Sequence, residues 1–461
     1  MKLQIFLLHL AAFFTISVCN RVYVHPFTLL MYNKTECEKV DSQNSTTEKL
    51  FLPISIESKS EPQETPFKDK TPPARKQLGL TGVLTPLIES VGLRAFNALR
   101  KINKDGTLLL SYIDIYSSLV SFYLGASAET SDDLQRFLGF EHPSGNADCL
   151  SKMNGPKVLS TIKQIDSLLF SNDANIDTLK MVCIFVSKGV PLFEEFVHHL
   201  IPSANELHVR SVDFTNSLKT TELIHEFIDK RVLKKGNFVL EPVDGASNLL
   251  YTRYSNFKGK VRNSVSVLEP QDFWIQPNKK ISVPMMSVSG MFQYQPGDKV
   301  NPSILKIPLS ENDFLLLVQP DNEKSLEDIE STFSMDTFPK WLNKLSDRKI
   351  NLVLPKLTIK STYDIQEILT EIQLPTLLGR TANFSKISNL DIHVGKIINQ
   401  VHLELEESAM GTNEARDLSL NEDDIEALNI KYNKPFFLAV FEGTTKALMF
   451  FGRVINPENA L

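Results

Sequence analysis

Residues 41–77 set the first limit on how this chain folds. The stretch is polar and carries prolines at positions 53, 62, 66, 72 and 73. Proline fixes φ and removes a backbone donor, and a polar stretch buries too little apolar surface to offset the entropy of ordering it. The composition therefore predicts a mobile linker. It separates a short segment, 20–40, from a body spanning 78–461 that shows no second linker and no internal repeat.

Ahead of the short segment, Lys2 gives a positive start and Ile5 to Ile16 an apolar core. Ser17 and Cys19 are small residues at a cleavable position. Residues 1–19 read as a signal peptide, too short to serve comfortably as a membrane anchor. The expected product is secreted, extracellular, free of the membrane and starts at Asn20. A net charge of -6 argues against nucleic acid or acidic membranes as partners.

In the body, Thr85-Pro86 predicts a helix start, followed at helical spacing by Leu87, Ile88, Val91, Ala95, Ala98 and Leu99. Thr130 with Asp133 predicts a capping box before Leu134, Phe137 and Leu138, with Gly139 as the stop. Val158, Ile162, Ile165 and Leu169 mark another amphipathic helix. Later the pattern changes. Ile350, Leu352 and Leu354 alternate, Phe314 to Val318 is wholly apolar, and Phe436–Phe441 with Ala447–Phe451 reads as a buried hairpin around Gly443. Helices first and strands later predict an α+β class.

No catalytic, metal or cofactor motif is present in the sequence, so an enzyme is not expected. His225-Glu226 lacks a second histidine, and His198-His199 point apart on a helix. Arg94, Arg100, Lys101 and Lys104 end one helix and read as a solvated face rather than a carrier's basic patch. Of four cysteines, Cys19 leaves with the signal. The odd remainder implies one bridge and one leftover thiol. Cys183, in the apolar run Met181–Val186, is the expected core thiol, whereas Cys37 and Cys149 have polar neighbours. Sequons for N-glycosylation stand at Asn33, Asn44 and Asn383.

The segment Asn20-Arg21-Val22-Tyr23-Val24-His25-Pro26-Phe27, followed by Thr28-Leu29-Leu30, is unusual. Its β-branched residues and the residue before Pro26 favour extended backbone, which suits a protease cleft. Leu29-Leu30 puts large apolar side chains on both sides of one bond, a pairing that aspartic proteases favour. Spacing alone also permits an edge strand docked on the body. The motif itself resembles the angiotensin family of vasoactive peptides, in a form found outside mammals. That resemblance implies cleavage at Leu29/Leu30 by renin, a second cut at Phe27/Thr28 by angiotensin-converting enzyme, and an octapeptide 20–27 that acts on angiotensin receptors to regulate blood pressure and salt balance. Thr28 stands where the family commonly has histidine.

The body resembles the serpin family from Leu78 onward. Leu124-Gly125-Ala126 with Glu129-Thr130, Pro435-Phe436 and Phe450-Phe451-Gly452-Arg453-Val454-Ile455-Asn456-Pro457 carry the likeness. It implies a serpin fold of three β-sheets and about nine helices, with an exposed reactive loop and an extended N-terminal tail. It also implies a Cys37–Cys149 bridge and a loop hinge at Glu406, Glu407, Ser408 and Ala409. The rival function is protease inhibition, which requires the loop to enter a sheet as a new strand. Ser408 replaces the expected glycine, and Met410, Asn413, Glu414, Arg416 and Asp417 are unsuited to burial. The expectation is a non-inhibitory member.

Overall fold

The computed structural model describes residues 26–43, 49–58, 78–140, 148–169, 175–232, 240–299, 301–320, 325–408 and 427–458. The signal segment 1–19, Asn20 to His25 of the peptide, the sequon Asn44, and Ala409 with the reactive loop lie outside them.

Two large sheets and the helices around them form the body. The central sheet has five strands: β1 (Ile176–Ser187), β2 (Glu206–Val212), β3 (Leu249–Val261), β4 (Leu357–Asp364) and β5 (Val394–Glu407). Their spatial order is β4-β5-β3-β1-β2. β5 and β3 run parallel as direct neighbours, from Val394 opposite Leu249 to Glu407 opposite Val261. Being covered on both faces, β1 reads as a continuous apolar run from Met181 to Val186. Cys183 lies in it as a buried free thiol.

The second sheet has nine strands. Within it the long strand Met285–Gln295 pairs with Ser346–Pro355 and, near its end, with Ser303–Pro308. The predicted hairpin is present: Phe436–Glu442 pairs with Ala447–Val454, and both strands are buried throughout. A Cβ at Gly443 would meet the Asn312 carbonyl oxygen at 1.8 Å, so the turn accepts only glycine.

Helix α1 (Leu78–Ile102) begins earlier than Thr85-Pro86 suggested. Pro86 sits inside it on the exposed side, and the Thr85 hydroxyl donates to the Thr81 carbonyl at 2.9 Å. The burial of Leu84, Leu87, Ile88, Val91 and Ala95 outweighs the one bond that proline removes. The helix Ala128–Phe137 likewise starts ahead of the expected capping box. Thr130 does not cap; its hydroxyl accepts from the Asn383 amide at 2.9 Å. Gly139, at φ +94°, follows the last turn as the sequence indicated.

Helix α2 (Tyr112–Gly125) is buried on nearly every side and α3 (Gly155–Leu169) packs beside it. Asp114, in the first turn of α2, lies in a charge cluster between the helices and the central sheet. Arg253 Nε on β3 stands 3.0 Å from Asp114 Oδ1, and Lys180 Nζ on β1 stands 3.1 Å from the same atom. Lys180 also meets Asp166 of α3 at 2.7 Å, and Ser255 donates to Asp114 Oδ2 at 2.6 Å. Burial alone would raise the Asp114 carboxyl, but Lys180, Arg253 and Ser255 outweigh it and hold it well below the usual carboxylate range.

Glu89 on α1 has the opposite environment. Burial pushes its carboxyl from an ordinary value of 4.5 up to about 7. A raised carboxyl favours the fold below its unfolded value, and that contribution disappears as pH rises through the folded one. Glu89→Gln is expected to stabilise the protein by about 2 kcal/mol at pH 8, after discounting for partial exposure, and by much less at pH 5. Denaturant unfolding at the two pH values checks this; equal gains at both would contradict it.

Candidate functional site

The Leu29-Leu30 pair and its surroundings are built from the tail. Pro26–Leu30 forms a single 3-10 turn, where an extended strand was expected. Two forces explain the difference. Proline's fixed φ suits a first helical turn as well as a strand. The turn also lets Phe27 and Leu30 reach the body together: the Phe27 ring lies 5.8 Å from Phe140, and Leu30 is fully buried. Thr28 is exposed and Leu29 is 48% exposed. The Leu29-Leu30 bond thus has one accessible side and one closed side.

The floor under the turn is polar and well ordered. The Asn154 amide donates to the Leu30 carbonyl at 2.9 Å, and Met31 bridges Met153. The Tyr32 amide donates to the Lys152 carbonyl at 3.1 Å. Gln135 holds this floor in place: its side chain accepts from the Met153 amide at 2.9 Å and donates to the Ser151 carbonyl at 2.9 Å. The Tyr123 hydroxyl donates to the Met153 carbonyl at 2.8 Å. Burial, with Glu36 and Glu195 nearby, raises the Tyr32 phenol, so it stays neutral.

Beyond the turn, Asn33 and Glu36 cap the helix Lys34–Gln43 reciprocally, each side chain accepting from the other's amide at 2.9 Å. Cys37 in that helix is bonded to Cys149, Cα to Cα 5.8 Å, across 112 residues. The sequons Asn33 and Asn383 are both exposed.

The stretch read as a mobile linker is docked where it is described. Leu50–Phe51 pairs with Leu192–Phe193, and Ser55 bridges Ser211 on β2. The Ile56 amide donates to the Ser211 carbonyl at 3.0 Å, and the Ser211 amide donates to the Ile54 carbonyl at 2.9 Å. Glu57 meets Lys219 at 2.6 Å and Lys188 at 2.9 Å. Its carboxyl is lowered to about 2 by hydrogen bonds from Lys219 and then Lys188. Leu50, Leu52 and Ile54 alternate in the sequence but are exposed, while Phe51 is half-buried and Pro53 buried, so the apolar period does not mark the docked face of this strap.

Glu406, Glu407 and Ser408, expected from the resemblance as a loop hinge, lie at the end of β5 and just past it. Lys258 on β3 bridges Glu406 at 3.0 Å and Glu404 at 3.5 Å. Glu407 bonds Lys356 at 2.8 Å, and the Ser408 amide donates to the Ser264 hydroxyl at 3.3 Å. The basic cluster of α1 is not a free patch. Arg94 stacks over Phe137 at 4.4 Å, Arg100 faces Glu330 at 3.9 Å and Lys101 bridges Glu371 at 3.1 Å. Among the described residues no group of histidine, cysteine and carboxylate side chains could hold a metal ion, and no helix is long and apolar enough to cross a membrane. His225 Nε2 accepts from the Leu240 amide at 3.0 Å, a structural contact.

A five-stranded sheet with parallel β5 and β3 and a separate anchored tail are the features to compare with known proteins. The family model described as serpin (serine protease inhibitor) matches residues 87–457. The solved structure of mouse protein-Z dependent protease inhibitor superposes with a TM-score of 0.69 at 24% identity, covering 82% of this chain and 98% of that one. The angiotensinogen of Bos taurus is 33% identical across 98% of both chains. That of Homo sapiens is 31% identical across 99% of this chain and 98% of its own. The chain belongs to the serpin family, in its angiotensinogen branch.

The geometry of the turn makes a prediction about access. Met153→Ala leaves the tail's own sequence intact but removes a fully buried side chain beneath Met31. Loss of such a side chain costs about 2–5 kcal/mol where it packs. Limited proteolysis with a non-specific protease should therefore cut within 27–31 at least about tenfold faster than in the parent. An unchanged rate would mean that the turn is not held by this contact.

Proposed function

We propose that the chain is a secreted hormone precursor, a substrate rather than an enzyme or an inhibitor. A renin-type aspartic protease cuts Leu29-Leu30 and releases the decapeptide 20–29. A dipeptidyl carboxypeptidase of the angiotensin-converting type then removes Thr28-Leu29, leaving Asn20 to Phe27 for the angiotensin receptors. The observation that carries this reading is the likeness to angiotensinogens along nearly the whole chain, with an angiotensin-like octapeptide at its expected place.

The chemistry of the peptide supports the same reading. Arg21 supplies a permanent charge, Tyr23 and His25 polar aromatic contacts, and Phe27 an apolar ring beside a terminal carboxylate. Proteases bind extended substrate, whereas Leu29 and Leu30 sit in a turn with one side closed. Cleavage therefore requires the turn to peel from Phe140, Met153 and Asn154. The Cys37–Cys149 bridge holds the tail close to those contacts, so its redox state bears on the rate. Inhibition is not favoured: after Glu406 and Glu407, Ser408 replaces the expected glycine, and Met410, Asn413, Glu414, Arg416 and Asp417 are unsuited to burial in a sheet.

Incubating the purified protein with cognate renin and sequencing both products tests the proposal. The expected new N-terminus is Leu30, and Leu29→Asp should abolish release because the protease pocket would have to desolvate a charge. A different terminus, or no cleavage, would sink the precursor reading. Reduction of the bridge should speed cleavage; equal rates for oxidised and reduced protein would remove the redox idea and leave the rest standing.

A further inference from the structure

β2 is the last strand of the central sheet, so one of its edges faces away from β1. In a parallel pair, alternate residues direct both main-chain groups to the same side. Ser211 directs both outward: its amide donates to the Ile54 carbonyl at 2.9 Å, and its carbonyl accepts from the Ile56 amide at 3.0 Å. An open edge is a template for an extended chain, and the strap 49–58 lies on this one. The strap's residues sort with period two. Phe51, Pro53 and Ser55 are half-buried or buried, whereas Leu50, Leu52 and Ile54 are exposed.

Three consecutive strap residues are read in three different ways. Ser55 lies beside Ser211 in an isolated parallel bridge. Ile56 packs against the core cluster that holds Ile224 and Phe227 of helix α4 (Ser217–Val232). The Glu57 carboxylate stands between Lys219 Nζ at 2.6 Å and Lys188 Nζ at 2.9 Å. The other acid near these lysines, Asp213, is engaged by Thr215, whose amide and hydroxyl donate to it at 3.1 Å and 2.6 Å. The strap covers the groove without filling it. A cavity of about 130 Å³ lies beneath, lined by Ile54, Ile56, Arg210, Leu223, Phe227 and Arg231. One bridge and two exposed ion pairs are a weak hold.

We propose that the groove between the outer edge of β2 and α4 is a peptide-binding site, which the strap occupies in cis. The partner it fits is an extended segment of another protein in which an apolar residue is followed directly by a carboxylate. Strand addition at a sheet edge takes affinity from main-chain bonds and specificity from side-chain sockets, and this groove offers both. The strap holds it because the chain tethers the strap nearby, at a high effective concentration. A competing segment of the same pattern would restore each contact that the strap gives up. A second copy of this chain would not, since pairing the same edge would bring Lys188 and Lys219 against their own copies. The inference is independent of how the tail is processed.

The test uses the full chain, with the strap released by Ile56→Asp and Glu57→Lys, which leave every groove residue on β2 and α4 unchanged. The probe is a fluorescent peptide of the strap's own sequence, Lys49 to Ser58, followed by anisotropy. The released variant should bind it at least about tenfold more tightly than the parent, whose groove is occupied. The same peptide carrying Glu57→Lys should bind the released variant at least about tenfold more weakly. Adding Lys188→Glu and Lys219→Glu to the variant should reverse that preference. Equal binding by parent and variant, or binding indifferent to the sign of the charge, would overturn the proposal. Hydrogen exchange on the unmodified protein decides the case if the variant fails to fold. The amides of Ile56 and Ser211 should exchange at least about tenfold faster than those of Val182 to Val186. Equal protection would mean that the strap opens only with the body, and the groove would then have no exchangeable occupant.

Discussion

An aspartate buried at the first turn of α2 ties that helix to two strands of the central sheet. Ser111 caps the helix by accepting from the Asp114 amide at 3.3 Å, and the Asp114 carboxylate takes two cations and a hydroxyl from two strands. Leaving such a carboxylate without partners would cost several kcal/mol. The strands are therefore placed by the charges as much as by apolar packing. The second sheet has a similar knot. Arg453 meets Glu330 at 3.2 Å and donates to the Gly106 carbonyl at 3.0 Å, tying the last strand to the end of α1. Apolar contacts tolerate a small slide at little loss, whereas these clusters do not, so both sheets are fixed in register as well as in layer.

Much of the body was legible because burial leaves its period in the sequence. Val158, Ile162, Ile165 and Leu169 lie buried on α3, and Ile350, Leu352 and Leu354 lie buried on one strand, as their spacings require. The hairpin at the end of the chain was equally clear, since both of its strands are covered and neither alternates. The helix starts were less legible. Thr85-Pro86 and Thr130-Asp133 are local signals, and in both cases more residues gained by joining the helix than the local signal could stop. The charge cluster was not legible at all, because Asp114, Asp166, Lys180 and Arg253 come together only through the fold.

The tail was the hardest part to read. Local preference made 20–27 extended, and the proline-rich composition made 41–77 a free linker. In the described portions, tertiary contacts override both: Leu30 and Phe27 pull one stretch into a turn, and Ile54, Ile56 and Glu57 lay another along β2. Each contact is modest alone. Burying a leucine contributes about 2 kcal/mol, and a backbone hydrogen bond about 1 kcal/mol. The tail is thus held by several weak anchors and one covalent bridge. That combination suits a segment that must stay closed by default and still open locally without unfolding the body.

The position of the cut follows the same logic. The contacts of the turn divide at Leu29-Leu30. Among the described residues, Phe27 packs on the body before the bond; after it come Leu30, Met31, Tyr32, the bridge at Cys37 and the strap at 49–58. A cut at this bond would leave the anchors from Leu30 onward with the body. A cut one residue later would have to extract Leu30, whose side chain is fully buried and whose carbonyl is bonded to Asn154. The two leucines thus differ: Leu29 is half exposed, while Leu30 is gripped by the body, so the proposed cleavage would need the turn to open. Because the grip belongs to the body and Leu29 is exposed, cleavage as proposed would be limited by local opening at the boundary rather than by global stability.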